Sequence, residues 1–223
     1  MTVTASADDL TGDTVAAGGS GNIAITALNA TANANLGGLS SVGGAVTAAF
    51  GGSATFTGTL GTAVVTVADS AVMTAAFNKV SGKTINHDGS ENGQSLVVDI
   101  ADADNDADLS LINGTIAVSA KFSETQTFTG NLNSKNATVD NGVTVTASAA
   151  DLTGDTVAAG GNGNITITAL NATTNANLGG LSSVSGSVTA AFGSTATFTG
   201  TLGTAVVTVA DSAVMTAAAT KVV

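Results

Sequence analysis

Two stretches carry residue types that do chemistry. The only histidine, His87, lies beside Asp88 in "TINHDGSENGQ". A histidine next to an acid can serve as a general base, but nucleophilic catalysis also requires a positioned nucleophile, and no G-x-S-x-G elbow occurs in the chain. The pair therefore reads as loop polarity. The second stretch, "DIADADNDADLS", places Asp99, Asp102, Asp104, Asp106 and Asp108 within ten residues. On a strand, Asp102, Asp104, Asp106 and Asp108 share one face, where only solvent or a hard cation relieves their repulsion. Calcium, which takes six to eight oxygens, is the cation expected on these four residues. The glycine and distal glutamate of an EF-hand are absent. With a one-residue shift, Asn29, Asn33 and Asn35 stand where this stretch has Asp102, Asp106 and Asp108, so the same loop is neutral in one place and charged in another. A solvated acidic loop is the competing reading.

Composition narrows the function classes. Sixteen acidic residues face five lysines and no arginine, for a net charge of -11, which repels nucleic acid and anionic lipid alike. No apolar run approaches the roughly 18 residues of a spanning helix, so membrane insertion is not expected. Cysteine and proline are both absent, which excludes disulfides, cysteine-ligated zinc and a thiol nucleophile. Aromatics are 3%, all phenylalanine, while alanine, valine, threonine, glycine and asparagine dominate. Such small side chains imply thin, closely spaced layers.

The elements that must hold these loops are repetitive. "ATFTGTLGTAVVTVADSAVMTAA" occurs unchanged from Ala54 and again from Ala196, and residues 2–80 match 144–222 with about ten differences, among them Ala24 with Thr166 and Phe77 with Ala219. A fainter echo pairs "VTAAFGGSATFTGTLGTAVVTV" from Val46 with "VSAKFSETQTFTGNLNSKNATV" from Val118, matching Phe50, Phe56, Gly58 and Leu60 to Phe122, Phe128, Gly130 and Leu132. The order is A, B, A: repeat unit A over 1–80, a divergent unit B over 81–142, and a copy of A over 143–223. The whole reads as a segment of a longer array.

Short alternating β-branched runs recur at Val3, Ile23, Val46, Val64, Leu96, Ile116 and Val143. Most starts are 18 to 23 residues apart, the rhythm of solenoid coils rather than of hairpins. An all-β, elongated, right-handed parallel β-solenoid with short helical turns is expected, right-handed by the crossover preference. Tandem Ig-like β-sandwiches are the alternative. Ile23, Ile25, Val46, Phe50, Phe56, Val65 and Val67, with their mates 142 residues on, are expected to point inward. "DSAVMTAAFNKVSG" is expected to form a short helix capped by Asp69 and closed by Gly82. Gly18, Gly19, Gly21 and Gly160, Gly161, Gly163 are placed at corners that need positive φ.

"GGSGNIAI" at Gly18 and "GGNGNITI" at Gly160 resemble degraded nonapeptide calcium repeats of a parallel β-roll, but Ile23 and Ile165 stand where the ligating aspartate belongs, so no ligand carries over. In composition and rhythm the whole chain resembles the repeat regions of large secreted bacterial surface proteins of the adhesin, S-layer and repeats-in-toxin kind. That resemblance implies a bacterial extracellular or cell-surface location and a non-catalytic structural module serving extension, self-assembly or adhesion. The alternative is a ligand-binding module. Thr195, Thr197, Thr199 and Thr201 resemble the threonine faces of ice-binding solenoids, whereas a glycan site lacks Trp or Tyr to stack on. Five N-x-[ST] sites, at Asn29, Asn113, Asn136, Asn164 and Asn171, match chance in such a composition. The expected partner is the chain itself, associating end to end.

Overall fold

Alternation of β-branched and small residues produces strands whose inward side chains are buried and whose outward ones are not. Val46–Phe50 shows it plainly: Val46, Ala48 and Phe50 are buried while Thr47 and Ala49 are exposed. The computed structural model describes residues 1–89 and 92–221. Among these, the strand pairings run parallel, which excludes the antiparallel sandwich alternative and defines a parallel β-solenoid. Partners lie one coil apart, from 17 residues for Thr47 and Val64 to 24 for Val15 and Leu39.

The chain divides into two compact units, Met1–Asp99 with Ser110–Ser119, and Ile100–Leu109 with Ala120–Val223. In the first, Thr2–Ser6, Asn22–Thr26, Val46–Phe50, Val64–Val67 and Ile85–His87 form one sheet in sequence order, and Ala54–Phe56, Val72–Ala76 and Ser95–Ile100 stack on a second face. In the second, Gln126–Phe128, Thr144–Ser148, Asn164–Thr168, Val188–Phe192 and Val206–Val209 form one sheet. Ala137–Val139, Val157–Ala159 and Leu181–Ser183 stack on another face, and Ala196–Phe198 pairs with Met215–Ala217.

The inward residues are those the pattern marks, with two exceptions in the strand Val206–Val209 of the second copy, where Val207 is only half-buried. Ile23, Ile25, Val46, Phe50, Phe56, Val65 and Val67 are all buried, as are Ile165, Ile167, Val188, Phe192 and Phe198. Val209, however, is 41% exposed. Of the ten positions at which the copies differ, none is buried in the first copy; Ala45 and Ser187 are exposed, and Ala24, Thr166 and Phe77 are half-buried. Coils stack only when successive layers have the same height, so divergence spares the fully buried side chains of the first copy. Phe122 and Phe128 meet edge to face at 5.2 Å inside the second unit. Truncating fully buried Phe128 to alanine is expected to cost about 3–5 kcal/mol, measurable by urea denaturation.

A strand–corner–glycine motif recurs through the chain. After Thr2–Ser6, after Val72–Ala76 and after Thr144–Ser148 the chain turns over a buried Leu10, Val80 or Leu152 and reaches Gly12, Gly82 or Gly154, each with φ between 70° and 83°. At the first corner Ser6 and Asp9 form a capping box, and Ser148 and Asp151 make the same three bonds. The helix expected over "DSAVMTAAFNKVSG" is therefore only half present. Val72–Ala76 is a strand paired with Ser95–Asp99, and the helix is the single turn Phe77–Val80, with no side-chain cap. Asp69 caps nothing there; its carboxylate accepts from Asn92 Nδ2 at 3.0 Å. Gly82 does close the turn, at φ 70°. Among the glycines of the two GGxG corners, Gly19 and Gly161 take positive φ, while Gly18, Gly21, Gly160 and Gly163 do not.

Candidate functional site

The acidic stretch is not an alternating strand. Asp102–Asp104 is one turn of 3-10 helix, and the chain then runs through Asn105 to a β-bridge between Asp108 and Asn131. Asp102 and Asp106 are exposed, Asp108 is half-buried and Asp104 is buried, so the four carboxylates do not share a face. Asp99 lies apart on Ser95–Ile100, with its Oδ1 unpartnered among the described residues. The backbone here is an ordinary coil layer: the N–H groups of Thr129 and Asn131 donate to the carbonyls of Asn105 and Ala107, and the N–H of Leu109 donates to the carbonyl of Asn131. The neutral loop of the first unit makes the same three bonds, from Thr57 to Ala32, from Thr59 to Ala34 and from Leu36 to Thr59. The shifted correspondence of Asn33 with Asp106 and Asn35 with Asp108 thus holds in space. Among the described residues no three acidic or histidine side chains are grouped as a metal ion would require.

His87 ends the strand Ile85–His87, its N–H donating to Thr115 Oγ1 at 3.3 Å. Its Nδ1 is buried without a partner among the described residues, while Asp88 is exposed and anchors the chain through its own N–H to the carbonyl of Val67. The two side chains are not joined, so the imidazole is not oriented by its neighbour. Ser90 and Glu91 of this loop lie outside the described residues.

Asparagine does work that the sequence reading missed. The Oδ1 atoms of Asn22, Asn29, Asn141, Asn164 and Asn171 accept from the N–H groups of Ala45, Gly51, Asn162, Ser187 and Gly193, each one coil further on, at 2.8–2.9 Å. Threonine and serine hydroxyls do the same, Thr11 for Asn35, Thr125 for Thr144 and Ser53 for Val72. Three of the N-x-[ST] asparagines, Asn29, Asn164 and Asn171, are therefore staples between coils. The recurrence of asparagine one coil before a glycine, as in Asn29 with Gly51, was the available signal.

On the outward side of the second unit's first sheet, Thr127, Thr146, Thr166 and Thr189 lie in register along successive strands. Thr195, Thr197, Thr199 and Thr201 are all exposed, as their alternation requires. In the first unit the equivalent column is broken by Ala24, which pairs with Thr4 and Thr47.

The same sequence meets two environments at Asp155. Its counterpart Asp13 is exposed, whereas Asp155 is buried, with Ser134 supplying a backbone hydrogen bond. Burial raises the Asp155 carboxyl above the usual range, and the Ser134 bond only partly offsets this. A raised carboxyl binds its proton more tightly folded than unfolded, so its charged form subtracts from stability above the folded pKa, and the loss disappears as pH falls below it. Asp155→Asn is expected to stabilise the protein at pH 7 and to lose that advantage in acid, as thermal melts across pH would show.

The Val206–Val209 strand stands last in its sheet among the described residues, with Val206 65% and Val209 41% exposed. A cavity of about 350 Å³ opens there, lined by Leu202, Ala205, Val207, Val209, Met215 and Lys221 among others. In the first copy the identical residues Val64–Val67 are covered by Ile85–His87. Fold and surface together define a parallel β-solenoid repeat protein with an apolar coil edge. Comparison with known protein families, with curated proteins and with solved structures finds no significant match.

Proposed function

We propose that this chain is a non-catalytic structural repeat module of a long bacterial cell-surface or extracellular protein, serving extension, self-assembly or adhesion. The observation that carries the reading is the distribution of differences between the two copies: the buried inward column is kept and the differences fall on exposed or half-buried positions of the first copy, as a scaffold built by stacking requires. The partner is the same chain, associating end to end. Calcium enters as a counter-ion for the acidic loop, lowering the repulsion of a -11 chain rather than filling a cage. Sedimentation velocity across protein concentration, salt and calcium is expected to show association that strengthens with each. A monomer under every condition removes self-assembly from this reading.

The threonine column Thr127–Thr146–Thr166–Thr189 favours a second reading, a ligand-binding face for ice or glycan. Inhibition of ice growth, or a hit on a glycan array, by the intact chain would put this reading first.

A further inference from the structure

An asparagine followed by glycine can modify itself in water. The glycine backbone nitrogen gives up its proton to solvent and attacks the side-chain Cγ, the Cγ–Nδ2 bond breaks, and ammonia leaves with a proton taken from solvent. Water then opens either C–N bond of the resulting succinimide, giving aspartate or isoaspartate. Closing the ring requires the peptide between the two residues to turn until its nitrogen reaches Cγ. The chain has four such steps, Asn92–Gly93, Asn113–Gly114, Asn141–Gly142 and Asn162–Gly163, and all four asparagines are exposed.

Three of the four connecting peptides are tied down. The carbonyl of Asn92 accepts from the Ser70 N–H at 3.1 Å, the carbonyl of Asn113 accepts from the Ile85 N–H at 2.8 Å, and the N–H of Gly163 donates to the carbonyl of Gly160 at 2.8 Å. A peptide is planar, so fixing its carbonyl also fixes its nitrogen. Gly114 is further wedged against the Ile85 backbone, where a Cβ would overlap the carbonyl oxygen. At Asn141–Gly142 neither the carbonyl nor the N–H has a partner among the described residues, and nothing lies within 4 Å of the Cβ position of Gly142. The electrophile is also prepared there. Asn141 Oδ1 accepts from the N–H of Asn162 at 2.8 Å, so the negative charge that collects on this oxygen during attack faces a donor already in place. At Asn92 the side-chain nitrogen instead donates to the Asp69 carboxylate at 3.0 Å, whose charge opposes that build-up. Among the asparagines that staple one coil to the next, Asn22 and Asn164 precede isoleucine, Asn29 and Asn171 precede alanine, and Asn141 precedes glycine.

We propose that Asn141 is a self-modification site, which deamidates without an enzyme ahead of the other three Asn–Gly steps and thereby unfastens one staple between coils. In the isoaspartate product the former side-chain carbonyl becomes part of the main chain and a methylene is inserted into the backbone between Asp140 and Gly142. The acceptor held against Asn162 is then lost. The coils concerned are those of Ala137–Val139 and Val157–Ala159, which pair within the second unit.

The full chain is held in mildly alkaline buffer, folded and in parallel in urea, and the amide-to-acid mass gain at each asparagine is followed over time by tandem mass spectrometry. Freeing a tied peptide requires breaking a backbone hydrogen bond, so in the folded chain Asn141 is expected to convert about tenfold faster than Asn92, Asn113 or Asn162. In urea the four rates are expected to converge. Any of the other three matching Asn141 in the folded chain overturns the site, and rates that stay apart in urea overturn the role of the fold. Gly142→Ala is expected to slow conversion at Asn141 and to suppress isoaspartate, whereas an unchanged rate overturns attack by the residue 142 nitrogen. In the separated isoaspartate fraction the Asn162 amide is expected to exchange its hydrogen faster than in the fresh chain, and unchanged exchange overturns the loss of the staple.

Discussion

Gly130→Ala is expected to destabilise the second unit by about 3 kcal/mol or more, although it adds a single methyl group. A Cβ on Gly130 would overlap the carbonyl oxygen of Ala107, with the Ala107 carbonyl carbon and nitrogen both at 2.8 Å. That backbone cannot give way. Ala107 is fully buried, its N–H donates to the carbonyl of Asp104, and its own carbonyl accepts from Asn131. The same corner recurs at Gly58 against Ala34 and at Gly200 against Ala176, so the glycine of F-T-G-x-L marks where one coil rests on the next. Gly142 provides the contrast. Its φ of 77° disfavours a side chain, but nothing lies within 4 Å, and Gly142→Ala is expected to cost about 1 kcal/mol. Urea denaturation of the two variants side by side measures the difference, and equal losses would mean that the coils are not held at this spacing.

The second large effect separates two residues in identical sequence. Val67→Asp places an unpaired carboxylate in a fully buried position and is expected to cost about 4 kcal/mol. Val209→Asp, in the same 23-residue stretch, is expected to change stability by no more than about 0.5 kcal/mol, because Val209 has no coil over it among the described residues. The second variant should nonetheless weaken association, since it puts charge on the apolar edge. Thermal unfolding and sedimentation velocity read these two consequences separately. Comparable destabilisation by both substitutions would show that Val209 is covered in solution.

Much of the fold was legible in the chain. Strict alternation in "VTAAF" and "NITIT" fixes which side chains face inward, and the spacing of such runs matches the separation of paired strands. The candidate site was less legible. The aspartates alternate as a strand would, but "ADADNDAD" lacks β-branched residues, and its coil layer instead bonds to Thr129 and Asn131 through a 3-10 turn. "VMTAA" contains good helix formers, yet the edge offered by Ala54–Phe56 and Ser95–Asp99 draws it into a sheet. Local preference yields there because a parallel ladder satisfies the backbone of a whole strand at once.

By itself, the sequence determined the repeat, the inward column and the parallel stacking, because a coil cannot bury its apolar side except against a copy of matching height. The tertiary structure alone decided how far each copy is used. Val67 and Val209, Met73 and Met215, and Asp13 and Asp155 are pairs of the same residue in nearly the same sequence, but they differ in burial. The reason is that burial in a solenoid is conferred by the neighbouring coil, which lies some twenty residues away along the chain and is invisible to any local window.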